Sequence, residues 1–387
     1  MRVAIFENIM TPGGHEVDFD RILVEELRAL GHEVVFYVPE GFRFGMEYHT
    51  EVRYLSGEPV LYTHARGVKK LWISLQRTRR RFSWYRELYE AAGDGAFDVL
   101  IIPTATYRYL RALRWSVLRH SPVPVVFLHH GITDKDADHF FHELEGLSVY
   151  PMIRPTVITF GDTIFGKRPK NLHFIVPPTY IPRDIDIAPH MPGQADAPIT
   201  IGFFGQFRRE KRLEDLIDVY LSGHYTRPTR LLVQGSTMNE EDAAEFEHII
   251  AKYKEKGIAF LHRGLIGAEW QRAIAEVDAL LLPYSAERYR YQCSAMLFTA
   301  IGFQKPVLVS DDMNPDVFAR FPIGITFPSG KQEALRTALE TFINEYDQRC
   351  SAWHRSLVDA GQYYAPARVA AQIMDVIEGN DRNGTSP

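Results

Sequence analysis

The chain has 387 residues, 45% of them hydrophobic and 24% charged, with a formal net charge of −5. That length exceeds one ordinary hydrophobic core and suits two domains of roughly 150 to 200 residues, while no stretch approaches the ~20 uninterrupted apolar residues of a membrane span. Cys293 and Cys350 are the only cysteines, which argues against a disulfide framework and a structural zinc site and suits a reducing, cytoplasmic compartment.

From the start of the chain, short apolar runs alternate with helical patterns, the order of a doubly wound parallel sheet. MRVAIF opens directly into a strand, without the basic and apolar regions of a secretory signal. Strands are predicted at Arg2 to Glu7, Glu33 to Val38, Val99 to Ile102, Val123 to Leu128, Val157 to Phe160 and Leu172 to Val176, with a helix over Val17 to Leu30 that stops at Gly31. Between the first strand and this helix lies TPGGH, where Gly13 and Gly14 permit either close approach of a ligand to the backbone or a loop of positive φ. His15 and Glu16 follow, with acceptor and solvent both open to them.

Residues 61 to 120 hold twelve Lys and Arg against four Asp and Glu, so one basic face is expected. Helical spacing over Lys69 to Ala92 puts Leu71, Leu75, Phe82, Tyr85 and Tyr89 on one stripe. Arg77, Arg79, Arg80, Arg81 and Arg86 occupy much of the remaining circumference, with Trp72 and Trp84 off the stripe. This is a helix packed by one face and basic on the other, suited to an anionic membrane surface or a lipid pyrophosphate, or simply to water. Nucleic acid is not expected, because no reading module is present.

The run PVVFLHHG carries a β-branched strand to His129 and His130 at its C-terminal end, where open α/β sheets bind ligands. The following Asp134, Asp136 and Asp138 alternate in an expected loop that lacks the glycine and terminal Glu of a calcium loop, and no zinc spacing appears, so no metal is expected.

Pro177-Pro178 and the run to Pro198 form a candidate linker. Further strands are expected near Ile199, Arg230, Ala259, Ala279, Pro306 and Ile325. ITIGFFGQFRREKRLEDLI places a strand, a turn at Gly205 and the cations Arg208, Arg209 and Lys211 before a helix beginning near Leu213, an arrangement that suits a diphosphate. Downstream, DALLLPYSAERYRYQCSAMLFTAIGFQKPVLVS reads as a strand, a polar loop holding Glu287, Tyr289, Arg290, Tyr291 and Gln292, a helix start at Ser294 and Ala295, and another strand. No G-x-G-x-x-G turn accompanies either half, so a dinucleotide-binding Rossmann domain fits poorly.

These two segments together resemble the C-terminal nucleotide-binding domain of the GT-B glycosyltransferases, particularly the retaining family 4. The resemblance implies two Rossmann-like doubly wound domains facing a cleft. It implies that Gly205, Arg208 or Arg209, Lys211 and the Ser294–Ala295 helix start grip the donor diphosphate. It also implies that His130 contacts the donor sugar, and that Gly13, Gly14, Glu287, Tyr289, Arg290 and Gln292 face sugar or acceptor. Gln206 stands where the family usually has Arg. Tyr289 and Leu297 stand where it has its pair of glutamates, so the ribose site is not supplied by those positions.

The expected organisation is an acceptor-side domain over 1–185, a linker over 186–198 and a nucleotide-sugar domain over 199–362. A helix over 363–378 crosses back to the first domain, ahead of a disordered tail over 379–387. The expected activity is transfer of a sugar from a nucleotide-sugar donor to a hydroxyl acceptor that is a glycan, lipid-linked or small, without a cofactor. An epimerase on the same fold and a non-catalytic sugar- or nucleotide-binding scaffold are the rival readings. The expected location is the cytoplasm, extending to the inner membrane face.

Overall fold

The computed structural model describes the chain except residues 10–14, 61–66, 160, 184, 186–197, 285–286 and 380–387, and the side chains of residues 15, 70, 287 and 288. Gly13, Gly14, nearly all of the 186–198 linker, the 380–387 tail and the Glu287 side chain therefore lie outside the described residues. The chain divides into two compact units, one of Met1–Pro177 with the chain from Pro366 onward, the other of Pro178–Ala365.

In the first unit, strands β1 (Arg2–Phe6), β2 (Glu33–Pro39), β3 (Glu51–Leu55), β4 (Val99–Ile102), β5 (Val125–His129), β6 (Ile153–Ile158) and β7 (His173–Ile175) form a parallel sheet in the order β3-β2-β1-β4-β5-β6-β7. Helices α1 (His15–Ala29), α2 (Gly67–Gly93), α3 (Tyr107–Arg114) and α4 (Asp134–Leu147) connect them. β4 and β5 are buried at every residue, which is why they read as unbroken apolar runs. β3 escaped the sequence reading because it is an edge strand, paired only with β2 and exposing Glu51 and Tyr54. β6 begins four residues earlier than expected and contains Pro155. The proline is tolerated because pairing with β7 starts only at Thr156, leaving β6 an edge on that side.

Two readings of this unit need correction. Asp134 and Asp136 lie in the first turn of α4, with Asp138 one turn on, so they are not in a loop. An acidic first turn, and Ala137, Phe140, Leu144 and Leu147 on one buried face, explain the helix. On α2, the expected apolar stripe packs only in its second half. Leu71 and Leu75 are each 68% exposed, whereas Trp84, placed off the stripe, is 4% exposed beside Tyr85 and Leu88. Trp84 and Tyr85 pack edge-on against Phe6 at 5.8 and 6.4 Å, and the Trp84 indole N–H donates to the Ser56 carbonyl at 3.2 Å. These partners lie along the second half of the helix, and they override the simple helical wheel.

In the second unit, β8 (Ile199–Phe203), β9 (Thr229–Gly235), β10 (Ala259–His262), β11 (Ala279–Leu282), β12 (Val307–Ser310) and β13 (Gly324–Phe327) form a parallel sheet ordered β10-β9-β8-β11-β12-β13. Around it run α5 (Leu213–Ser222), α6 (Glu240–Tyr253), α7 (Gly267–Ala275), α8 (Ala295–Gly302), α9 (Pro315–Arg320), α10 (Gln332–Asn344) and α11 (Tyr346–Tyr363). Thr179 joins this unit because its N–H donates to the Tyr364 carbonyl at 2.8 Å. The last helix, α12 (Pro366–Glu378), belongs to the first unit, where it packs on α1, β5 and β7 and accepts the Val176 N–H at Gln372 Oε1, 3.0 Å away. No helix among the described residues is long and apolar enough to cross a membrane.

Candidate functional site

Each sheet reverses its strand order once, between β1 and β4 and between β8 and β11. A crevice opens at the carboxyl end of such a reversal, because the flanking connections leave toward opposite faces. In the second unit the segments that leave β8 and β11 there are those singled out from the sequence.

After β8, Gly205 turns the chain with φ 105°. A β-carbon at this position would stand 3.2 Å from Lys211 Nζ and 3.8 Å from Met296 Cγ, so the bare glycine lets the lysine head and the first turn of α8 close in together. The Gly205 N–H is taken by Gln234 Oε1 at 2.9 Å, and the Phe207 N–H donates to the Ser236 carbonyl at 2.7 Å. The loop is thus pinned to the end of β9, and these two amides are taken up within the protein.

Lys211 is 5% exposed, with its ammonium 4.8 Å from the centre of the Tyr284 ring, which follows β11. The negative ring face helps offset the cost of removing that charge from water. Arg208 is half-exposed and donates through Nη2 to Gln206 Oε1 at 3.0 Å, so the residue in place of the family's usual arginine orients its neighbour. Arg209 turns elsewhere. It pairs with Glu241 at 2.8 Å and Glu245 at 2.5 Å, both on α6.

Across from this loop, Ser294 caps α8, its hydroxyl accepting from the Leu297 N–H at 3.4 Å, and Ala295 is the first helical residue. A capped N-terminus directs partial positive charge toward the crevice. Two residues that the sequence reading passed over hold the arrangement. Gln234, 1% exposed, fixes the Gly205 turn, and its signal was a lone amide in the otherwise apolar end of β9. Asn314, fully buried, accepts the Ser294 N–H at 3.1 Å and donates to the Tyr289 and Gln292 carbonyls at 2.6 and 2.8 Å. Its signal was the Asn-Pro pair that opens α9. Tyr289 and Gln292 are half-buried, Arg290 is exposed, and Leu297 is buried in α8.

In the first unit, His130 follows β5 and places Nε2 2.9 Å from the Pro103 carbonyl. A carbonyl only accepts, so Nε2 carries a proton. The ring rests edge-on against Phe19 at 4.6 Å. His129 is fully buried against Phe140, and burial, opposed in part by a backbone contact at Ala105, pushes its pKa down to about 3. Beside the end of β1, the Glu7 carboxyl accepts the Asn8 and Ile9 N–H groups through Oε1, both at 2.5 Å, while Oε2 is buried without a partner. Burial raises the Glu7 pKa to about 8 and holds the Asp20 carboxyl well above the usual carboxylate range, with the Glu7 charge adding to the latter. Among the described residues, no three His, Cys, Asp or Glu side chains are grouped to hold a metal ion.

Solved structures share this architecture over nearly the whole chain. HepE of Anabaena, solved with UDP, superposes with a TM-score of 0.67 at 14% identity, covering 98% of this chain and 100% of its own. The chain has the GT-B fold. The same GT-B arrangement is found in sucrose-phosphate synthase of Thermosynechococcus elongatus, with a TM-score of 0.67, 14% identity and 98% of each chain covered. The catalytic domain of starch synthase IV of Arabidopsis thaliana, bound to ADP and acarbose, gives 0.67, 12% and 98% of each chain. Neither protein-family models nor curated proteins match the sequence.

Proposed function

We propose that this GT-B protein is a cytoplasmic glycosyltransferase that moves a sugar from a nucleotide-sugar donor to the hydroxyl of a glycan, lipid-linked or small acceptor, with retained anomeric configuration. One observation carries the reading. Gly205, the Lys211 ammonium and the first turn of α8 converge at the strand reversal of the second unit. Lys211 and Arg208, with the dipole of α8, would stabilise charge developing on the departing diphosphate, and fixed donors of this kind supply a large share of catalysis where water is excluded. No metal is part of this scheme. Arg209 contributes only after exchanging its glutamate partners for phosphate. His130 orients the donor sugar, and the leaving phosphate oxygen takes the acceptor proton.

The test is calorimetry of UDP, GDP and ADP binding to native protein and to Lys211→Met, followed by assay of nucleotide diphosphate release from the matching sugar donors. Loss of one charge-assisted contact is expected to weaken the preferred diphosphate by about 10- to 150-fold, the equivalent of ~1.5–3 kcal/mol. Unchanged affinity in a folded variant would sink the assignment. Tight binding without release of diphosphate would make the protein a binding scaffold.

A further inference from the structure

Helix α2 carries a face that the described residues leave uncovered. Val68, Leu71, Trp72 and Leu75 are 82%, 68%, 60% and 68% exposed. Single exposed apolar side chains need no account, but four on successive turns make a contiguous patch. Exposed Arg79, Ser83 and Arg86 continue the line. At about 100° per residue all seven positions fall within roughly 60° of one direction. The stripe is therefore apolar for its first two turns, about 11 Å of axis, and cationic after that. The boundary between apolar and basic runs across the helix axis instead of along it.

The remaining arginines of α2 are turned toward the protein. Arg77 Nε donates to the Val60 carbonyl at 3.1 Å, Arg80 lies over Gly57, where an added β-carbon would meet its guanidinium, and Arg81 sits 4.4 Å above the Tyr109 ring. Arg111 and Arg114 of α3 pair with the buried Glu143. Of the arginines of α2, Arg79 and Arg86 are therefore the ones that face outward, beyond the apolar turns, while exposed Lys69 flanks those turns about 100° round the helix from Val68.

We propose that α2 attaches this protein to an anionic bilayer tip first, with Val68, Leu71, Trp72 and Leu75 in the interface and Arg79 and Arg86 at the lipid phosphates. A helix lying flat at the interface carries its apolar and basic residues in parallel stripes. Here they succeed one another along the axis, so the helix must tilt to satisfy both. Sinking the apolar turns by about 5–10 Å brings Arg79, about 16 Å of axis from Val68, to the phosphate level. Trp72 is of the residue type that prefers this boundary, and each arginine near the surface adds about fivefold to partitioning at low salt. A protein partner would explain the apolar turns but leave the cationic continuation without a role. The proposal is independent of the transferase reading, and nucleotide affinity measured on the same variants keeps the two apart.

Full-length protein is to be co-sedimented with phosphatidylcholine vesicles, with and without phosphatidylglycerol, at low and high salt. Binding to the anionic vesicles should weaken with salt. Leu71→Glu/Leu75→Glu should lower partitioning at least about tenfold on both vesicle types, by removal of exposed apolar area. Arg79→Glu/Arg86→Glu should lower it at least about tenfold on anionic vesicles alone. Brominated lipid should quench a fluorescence component that Trp72→Phe removes. All variants should keep native circular dichroism and nucleotide affinity. Absence of vesicle binding at every salt, native binding by either double variant, or quenching unchanged by Trp72→Phe would overturn the proposal. So would a concentration-dependent dimer, lost in the leucine variant, in protein that ignores vesicles, since the face would then be a contact between copies.

Discussion

Replacing Gly205 with alanine tests the site at its tightest point. The residue stands at φ 105°, well outside the left-handed well near +57°, so a side chain there costs on the order of 1–3 kcal/mol of backbone strain. The new β-carbon would lie 3.2 Å from Lys211 Nζ, inside ordinary contact distance. The lysine head must retreat by a few tenths of an ångström, and it is buried over the Tyr284 ring at 4.8 Å. The alternative is for the turn to swing toward negative φ, which breaks the 2.9 Å bond from Gly205 N–H to Gln234 and leaves buried polar groups unsatisfied at about 1–3 kcal/mol. Both routes cost similar amounts, so the melting temperature should fall by about 2–12 °C for a unit of this size. Displacement of the ammonium forfeits part of a charge-assisted contact, and diphosphate affinity should drop by up to about tenfold. Thermal unfolding and calorimetry with UDP and ADP measure both quantities. A variant that melts and binds as the native protein does would refute the argument, and lost stability with full affinity would assign the turn to folding alone.

Two further outcomes concern the first unit. The Glu7 carboxyl, raised by burial from 4.5 to about 8, keeps its proton in the folded state where the unfolded chain gives it up. Stability should therefore fall as pH rises from about 4.5 to about 8. Glu7→Gln should flatten that slope in urea melts, apart from the share that belongs to Asp20, and an unchanged slope would contradict the buried pair. His129, lowered by burial to about 3, should make the native protein less stable as pH falls from 6.5 toward 3. His129→Phe should remove this acid limb and leave turnover within about twofold, whereas His130→Ala should lower turnover far more than donor affinity. The reverse ranking of the two histidines in steady-state kinetics would move the role to His129.

The fold was legible where burial was uniform. β1, β2, β4, β8, β11 and β12 announce themselves because both faces of a covered parallel sheet are apolar, and Gly205 and Ser294 stand out as a turn glycine and a cap. What escaped depended on partners distant in sequence. Edge strand β3 carries Glu51 and Arg53 and has no covered second face to reveal it. The helical wheel of α2 could not show that Phe6 and Ser56 lie against its second half. The loop cations look alike in sequence, yet Arg209 is drawn off by glutamates more than thirty residues later. Gln234 and Asn314 act as buried connectors, and such residues carry little local pattern beyond being polar in an apolar context.

The place of α12 has a consequence for how the protein is made. Val369, Ala370, Ile373 and Ile377 are buried in the first unit, so the sheet of β1 to β7 is completed by residues translated after the whole second unit. At ribosomal speeds of about 5–20 residues per second, the roughly 200 residues in between take about 10–40 s. During that interval the nascent first unit shows the apolar bed of α12 to the cell, while Pro178–Ala365 emerges and can close on itself. Biogenesis should therefore run out of sequence order, the later-made unit maturing first, and a chaperone that shields apolar surface on nascent chains has a defined place and a defined time at which to act.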